Sequence, residues 1–178
     1  MAPREIEVKI KVSTFDPIRR RLKDLGAAFV SDENEDNQYF ERFGTPRQEE
    51  SLRLRRDREV RLTWKGPSEF HDGIVQREEI EVQISDFDAM RDILERLDFV
   101  VADRIAKRRE TWKVSDIVIA LDQLEFGTFV ELEGAANGVR ELAVQLGLNP
   151  DDGIPHSYRR LQRDYYDRAA ESSNKPGA

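Results

Sequence analysis

Along residues 5–10, EIEVKI, polar and apolar side chains alternate: Glu5, Glu7 and Lys9 on one side, Ile6, Val8 and Ile10 on the other. A period of two predicts a β-strand. Strands are also predicted near 36–43, 52–56 and 59–65, in REEIEVQIS at 77–85, and near 107–113, 116–123 and 128–133. Elsewhere the period becomes helical. In DPIRRRLKDLG, Asp16 is placed to cap, Pro17 fits the first helical position, Ile18, Leu22 and Leu25 form a stripe, and Gly26 stops the helix. DFDAMRDILERLDF sets Met90, Ile93, Leu94 and Leu97 on one face. Two further helices are predicted, in GVRELAVQLGL (Val139, Leu142, Leu146) and around 157–170. GTPRQEES at 44–51 and KGPSEFHDG at 65–73 read as turns or loops, and the segments 44–51 and 66–75 are candidate lids. This organisation predicts one domain over 1–170 and a disordered tail over 171–178.

A repeat underlies the pattern. A shift of 72 residues brings Ser13, Phe15, Asp16, Arg19, Leu22 and Leu25 onto Ser85, Phe87, Asp88, Arg91, Leu94 and Leu97, and Glu7 onto Glu79. Two similar halves are implied, each a strand, a helix and then antiparallel strands, which can close into one barrel. The plain alternative is coincidence between two amphipathic helices.

The polar faces of the strands are charged. Arg53 and Arg55 share a face in LRLR; Arg61, Thr63 and Lys65 share one in REVRLTWK; Arg77, Glu79 and Glu81 share one in REEIE. Lys107 and Arg109 share a face in KRR, Glu131 and Glu133 in FVELE, and Asp122 ends IVIALD. Such faces usually meet water on the outside of a sheet. The other placement is inside a barrel whose apolar outer side the helices cover. Unpaired ions there cost several kcal/mol each, so a charged interior must hold water, opposite charges or a ligand that satisfies both signs. A polyphosphate with a divalent cation does so: carboxylates bind Mg²⁺ or Mn²⁺ through hard oxygen, and arginine and lysine bind phosphate.

Composition narrows the classes. Of 178 residues, 37% are charged and 38% hydrophobic, so the chain can build a core yet must place many ions. A net charge of −7 speaks against nucleic acid as a partner. There is no cysteine, which excludes thiolate chemistry. No membrane-spanning run and no signal-type hydrophobic segment are visible, and a cytoplasmic location is the simplest expectation. His71 and His156 are too few for a zinc site.

EIEVK resembles the E-x-E-x-K signature of the CYTH superfamily, the triphosphate tunnel metalloenzymes. LRLR, LTWKGP, REEIE, KRR and ELE look like that family's later motifs in the same order, from Arg4 to Tyr158, closest to the class IV adenylate cyclase-like branch. The resemblance implies an α+β fold: an eight-stranded antiparallel β-barrel tunnel with a charged lumen and helices outside. It implies metal ligation by Glu5, Glu7, Asp122, Glu131 and Glu133, with Mg²⁺ or Mn²⁺ as cofactor. It implies triphosphate binding by Lys9, Arg53, Arg55, Lys65, Arg77, Lys107 and Arg109. Glu79 and Glu81, with Lys65, are the candidate catalytic groups, through a second metal or a positioned water; Arg61 joins the set from spacing alone. The expected substrate is a small triphosphate, ATP, tripolyphosphate or thiamine triphosphate, either hydrolysed or, for ATP, cyclised to cyclic AMP. A non-catalytic nucleotide or polyphosphate sensor is the alternative, and a homodimer is an admissible state. Asp98 departs from the family's pattern, which has glycine at that helix end.

Overall fold

A computed structural model describes residues 4–44 and 50–173. The elements run β1 (Arg4–Val12), α1 (Asp16–Asp24), β2 (Ala28–Arg42), β3 (Ser51–Arg56), β4 (Val60–His71), β5 (Ile74–Ile84), α2 (Phe87–Arg96), β6 (Phe99–Val114), β7 (Ile117–Leu124), β8 (Gly127–Glu133), α3 (Ala136–Gln145), a 3₁₀ turn at Pro150–Asp152, and α4 (Tyr158–Ser173). The eight strands close into an antiparallel barrel in the order β1-β5-β4-β3-β2-β6-β7-β8. The fold is thus the expected α+β barrel with helices outside.

The repeat is built into the register. Each half is a strand, a helix and three strands. Strands related by the repeat pair with each other, β1 with β5 and β2 with β6, and β4–β5 and β8–β1 join the halves as well. Within those ladders Glu5 lies opposite Arg77 and Glu35 opposite Lys107, each pair 72 positions apart (77 less 5, 107 less 35), the offset that superposes the halves. A two-fold relation between the halves therefore passes through these two acid–base pairs.

The apolar faces of the strands point outward and the helices cover them. Ile18 and Leu22 of α1, with Val139 and Leu142 of α3 and Leu146 just after it, pack on Val8, Ile10, Ile119, Leu121, Val130 and Leu132. Phe87 and Leu94 of α2 pack on Phe40 and Leu54. At one end the bore itself is apolar: Ile105, Leu124, Phe126 and Phe129 cluster with Tyr158 at the start of α4. Among the described residues no helix is long and apolar enough to cross a membrane.

Several boundaries differ from the sequence expectation. The segment 65–73 is not a loop. β4 continues through it, accommodating Pro67 at a register shift between Lys65 and Ser68, as a proline in a sheet requires. The strands then turn on Asp72 and Gly73, both with positive φ (51° and 78°), the geometry of a two-residue hairpin. The candidate lid at 66–75 is therefore a hairpin, and residues 45–49 of the other lie outside the described residues. β2 begins at Ala28 and β6 at Phe99, well before the alternation is visible: SDENED in β2 is polar on both faces, and β6 opens on the unbroken apolar run FVVA. The helix α1 starts at Asp16 itself; the cap position is Phe15, with no side-chain cap. The α4 helix runs to Ser173, into the expected tail, whose remaining residues 174–178 lie outside the described residues. Asp98 takes the left-handed conformation that follows α2 (φ 64°), doing a glycine's work with a short polar side chain.

The Asp72–Gly73 turn packs against the 3₁₀ turn, and a Cβ added at Gly73 would lie 1.9 Å from the Pro150 carbonyl oxygen. Gly73→Ala should therefore cost about 2 kcal/mol or more, by backbone strain and collision together. Urea unfolding checks this; a variant as stable as wild type would contradict the packing of this turn.

Candidate functional site

Alternation along each strand sends the charged faces inward. They line a cavity of about 740 Å³ that runs through the barrel, bounded by Glu5, Glu7, Lys9, Arg53, Arg55, Lys65, Arg77, Glu79, Glu81, Lys107, Arg109, Glu131 and Glu133. All the sequence-predicted site residues lie on this lining except Asp122 and Arg61. Asp122 is fully buried behind it. Arg61 sits near the rim, where it pairs with Glu59, Asp57 and Glu81.

The side chains inside are paired across strands. Glu5 accepts from Lys65 Nζ at 2.7 Å and Arg77 Nε at 2.8 Å. Lys65 also reaches Glu79 at 2.7 Å. Lys9 lies 3.1 Å from Glu131 and 3.5 Å from Glu7, and Arg109 also bonds Glu131. Asp122 accepts from Lys107 at 2.9 Å, Arg109 Nε at 2.6 Å and the Tyr158 hydroxyl at 2.9 Å. Asp122 thus braces two bases from behind. Glu81 accepts from the Thr63 hydroxyl at 2.8 Å and lies 3.8 Å from both Arg53 and Arg55. Arg53 keeps a buried Nε–H without a hydrogen-bond partner.

Titration follows from these contacts. Burial alone would lower the pKa of Lys9, but Glu7 and Glu131 outweigh it and raise it. Burial would raise Glu131, but Lys9, Arg109 and Lys107 hold it well below the usual carboxylate range. Glu133 is the exception. It has no cationic partner within 4 Å among the described residues and sits directly opposite Glu7 across β1 and β8. Part of the residue reaches solvent. Even so, desolvation in the mouth, then the charges of Glu5, Glu79 and Glu7, push its carboxyl up to about 7 against the pull of Lys65.

No three acidic or histidine side chains among the described residues stand together as a ready cluster for a metal ion. The donor chemistry nevertheless suits a hard divalent cation. Glu7 and Glu133 are like charges facing each other, the arrangement that destabilises a strand pair unless a cation lies between.

Some groups behind and along the lining carried no sequence signal. Glu35 is buried beside Lys107 at 3.4 Å, Arg109 at 3.6 Å and Arg55 at 3.8 Å. It lies in SDENEDNQ, where both faces are polar and no alternation marks the inward one. Tyr39, Glu41, His156, Tyr158 and Arg159 also line the cavity, the last three from the approach to α4 and its first turn. A tyrosine at a helix start reads as core, and nothing local shows that it enters a barrel.

Glu35 yields a test. Burial would raise its pKa, but Lys107, Arg109, Arg55 and Arg53 pull it from about 4.5 down to about 2. A depressed carboxylate stabilises the fold above its unfolded pKa, and that contribution is lost as the pH falls through the folded value. The stability advantage of wild type over Glu35→Gln should therefore be about 3 kcal/mol at neutral pH and decline from about pH 4.5 to about pH 2. Chemical denaturation across that range checks it; an advantage independent of pH would contradict the assignment.

Residues 3–158 match the CYTH domain family. The Methanocaldococcus jannaschii protein named "Putative adenylate cyclase MJ0240" is 33% identical over 173 residues, spanning 89% of this chain and 98% of its own. Among solved structures, PH1012 of Pyrococcus horikoshii superposes with a TM-score of 0.76 at 28% identity, covering 88% of this chain and 98% of that one. "Putative adenylyl cyclase HpAC1" of Hippeastrum, described as having a dominant triphosphatase activity, shares the fold at a TM-score of 0.66 and 15% identity, over 90% and 95% of the two chains. The closed barrel, its inward charges and the match across nearly the whole chain agree: this protein belongs to the CYTH domain family.

Proposed function

We propose that the chain is a divalent-metal-dependent enzyme that hydrolyses a linear triphosphate in the barrel lumen, with inorganic tripolyphosphate as its simplest substrate. One observation carries this reading: carboxylates and cationic side chains in near-equal measure converge on one cavity of about 740 Å³. Neither an anion binder nor a structural sheet needs both.

In this reading Lys9, Arg53, Arg55, Lys65, Arg77, Lys107 and Arg109 hold the phosphate oxygens, arginine bidentately. Asp122 positions Lys107 and Arg109 for that task through its hydrogen bonds. Glu5, Glu7, Glu131 and Glu133 would hold Mg²⁺ or Mn²⁺, which supplies charge neutralisation at the phosphates and lowers the pKa of an attacking water. Phosphate oxygens that take up the donors of Arg77 and Lys65 release the carboxylate of Glu5, which both now occupy. Substrate and cation should therefore bind cooperatively. Glu79 and Glu81, on the neighbouring strand, orient water or a second cation.

Cyclisation of ATP is the second reading, favoured by the name of the 33% identical relative. It requires a place for adenine. The two tyrosine rings on the described lining are already covered, Tyr158 by Lys9 at 4.7 Å and Lys107 at 5.1 Å, Tyr39 by Arg159 at 5.2 Å. That favours a substrate recognised by its phosphates alone.

Incubation with Mg²⁺ or Mn²⁺ and either tripolyphosphate or ATP should release phosphate from tripolyphosphate, with no cyclic AMP from ATP. EDTA should abolish the release. Cyclic AMP as the main product would establish the second reading, and tight binding without turnover would show a sensor. Glu133→Gln and Glu5→Gln should each lower kcat about 100-fold or more with the thermal midpoint little changed. Wild-type turnover in both would refute the metal assignment.

A further inference from the structure

The α4 helix lies outside the barrel, yet its first residue is part of the cavity wall. Tyr158 is buried, and its ring stands at the boundary between the apolar end of the bore and the charged part. On the apolar side it meets Phe129 edge-on, with ring centres 5.3 Å apart, and Phe126 at 6.3 Å. On the charged side the Lys9 and Lys107 ammonium groups stand 4.7 and 5.1 Å from its ring centre. Its hydroxyl donates to Asp122 at 2.9 Å, the carboxylate that also holds Lys107. A ring that faces two ammonium groups attracts both and so opposes their mutual repulsion.

From this geometry we infer that Tyr158 is a positioning residue: it fixes Lys9 and Lys107 in the lumen, so that triphosphate affinity depends on the docking of α4. The inference rests on the proposed function, because the ligand whose affinity changes is the triphosphate. Docking is secured separately, by Arg159 bonding to Asp103 at 2.6 Å and Glu41 at 2.6 Å, outside the lysine pair. The ring carries most of the effect, since both lysines contact the face while the hydroxyl reaches only Asp122. Removing the hydroxyl should therefore matter less than removing the ring.

The test compares Tyr158→Leu, Tyr158→Phe and Phe126→Leu. The last loosens the same helix packing from the apolar end, away from the charged lining. Calorimetric titration with tripolyphosphate, without metal, gives affinity; turnover gives KM and kcat separately. Tyr158→Leu should weaken binding and raise KM about 10-fold or more while changing kcat less, and Tyr158→Phe should stay within about 3-fold of wild type. Phe126→Leu should lower the thermal midpoint and leave affinity unchanged. In proton NMR, the ring-current shifts of the Lys9 and Lys107 ε-methylenes should persist in Tyr158→Phe and vanish in Tyr158→Leu. Equal loss of affinity in Tyr158→Leu and Phe126→Leu, or none in Tyr158→Leu, would overturn the inference. Wild type failing to bind tripolyphosphate would instead overturn the proposed function and this inference with it, while the lysine shifts would still report the ring's placement.

Discussion

Ions of both signs inside a closed sheet must be compensated before the chain can fold at all. A desolvated carboxylate or ammonium without a partner costs several kcal/mol, comparable with the whole stability of a domain. The barrel meets this constraint by register. Glu5 takes both Lys65 and Arg77, Lys9 lies between Glu7 and Glu131, and Glu35 and Asp122 each hold Lys107 and Arg109 from different strands. A slip of one residue in any ladder would turn a charged face outward and an apolar one inward. The ion pairs therefore specify the fold as much as the two outer clusters stabilise it.

The same pairing prepares the chemistry. Side chains that satisfy one another are already aimed at the lumen, and a ligand carrying both phosphate oxygens and a cation can replace partner for partner without leaving a charge bare. Where compensation is incomplete, at Glu133 opposite Glu7 and at the Nε of Arg53, the lumen favours an added cation and an added acceptor respectively. Asp122 belongs to neither group. Its three donors fill it, and its influence reaches the lumen only through Lys107 and Arg109.

What the sequence revealed depended on contrast between the two faces of a strand. EIEVK, LRLR and FVELE set charges against apolar residues, so those strands, their facing and most of the lining were legible. SDENEDNQ offers no such contrast, and the first half of β2 went unseen with Glu35 in it. KGPSEFHDG looked like a loop because Pro67 and Gly73 punctuate it, whereas one sits at a bulge and the other in a two-residue turn between long strands. Tyr158 was hidden for another reason. Its place in the lumen depends on how a helix distant in sequence docks on the barrel, which no local period encodes. The order of motifs, through the family resemblance, decided what local patterning left open: that the charges face in.

The seams at Glu5–Arg77 and Glu35–Lys107 carry one further consequence. In a ring of two separate, identical subunits joined at the same seams, the residue on each axis would oppose its own twin, glutamate against glutamate. Covalent fusion of both copies frees the seams to differ, so an acid can meet a base. An acid facing a base on the axis is open to one chain with unlike halves and closed to a symmetric dimer.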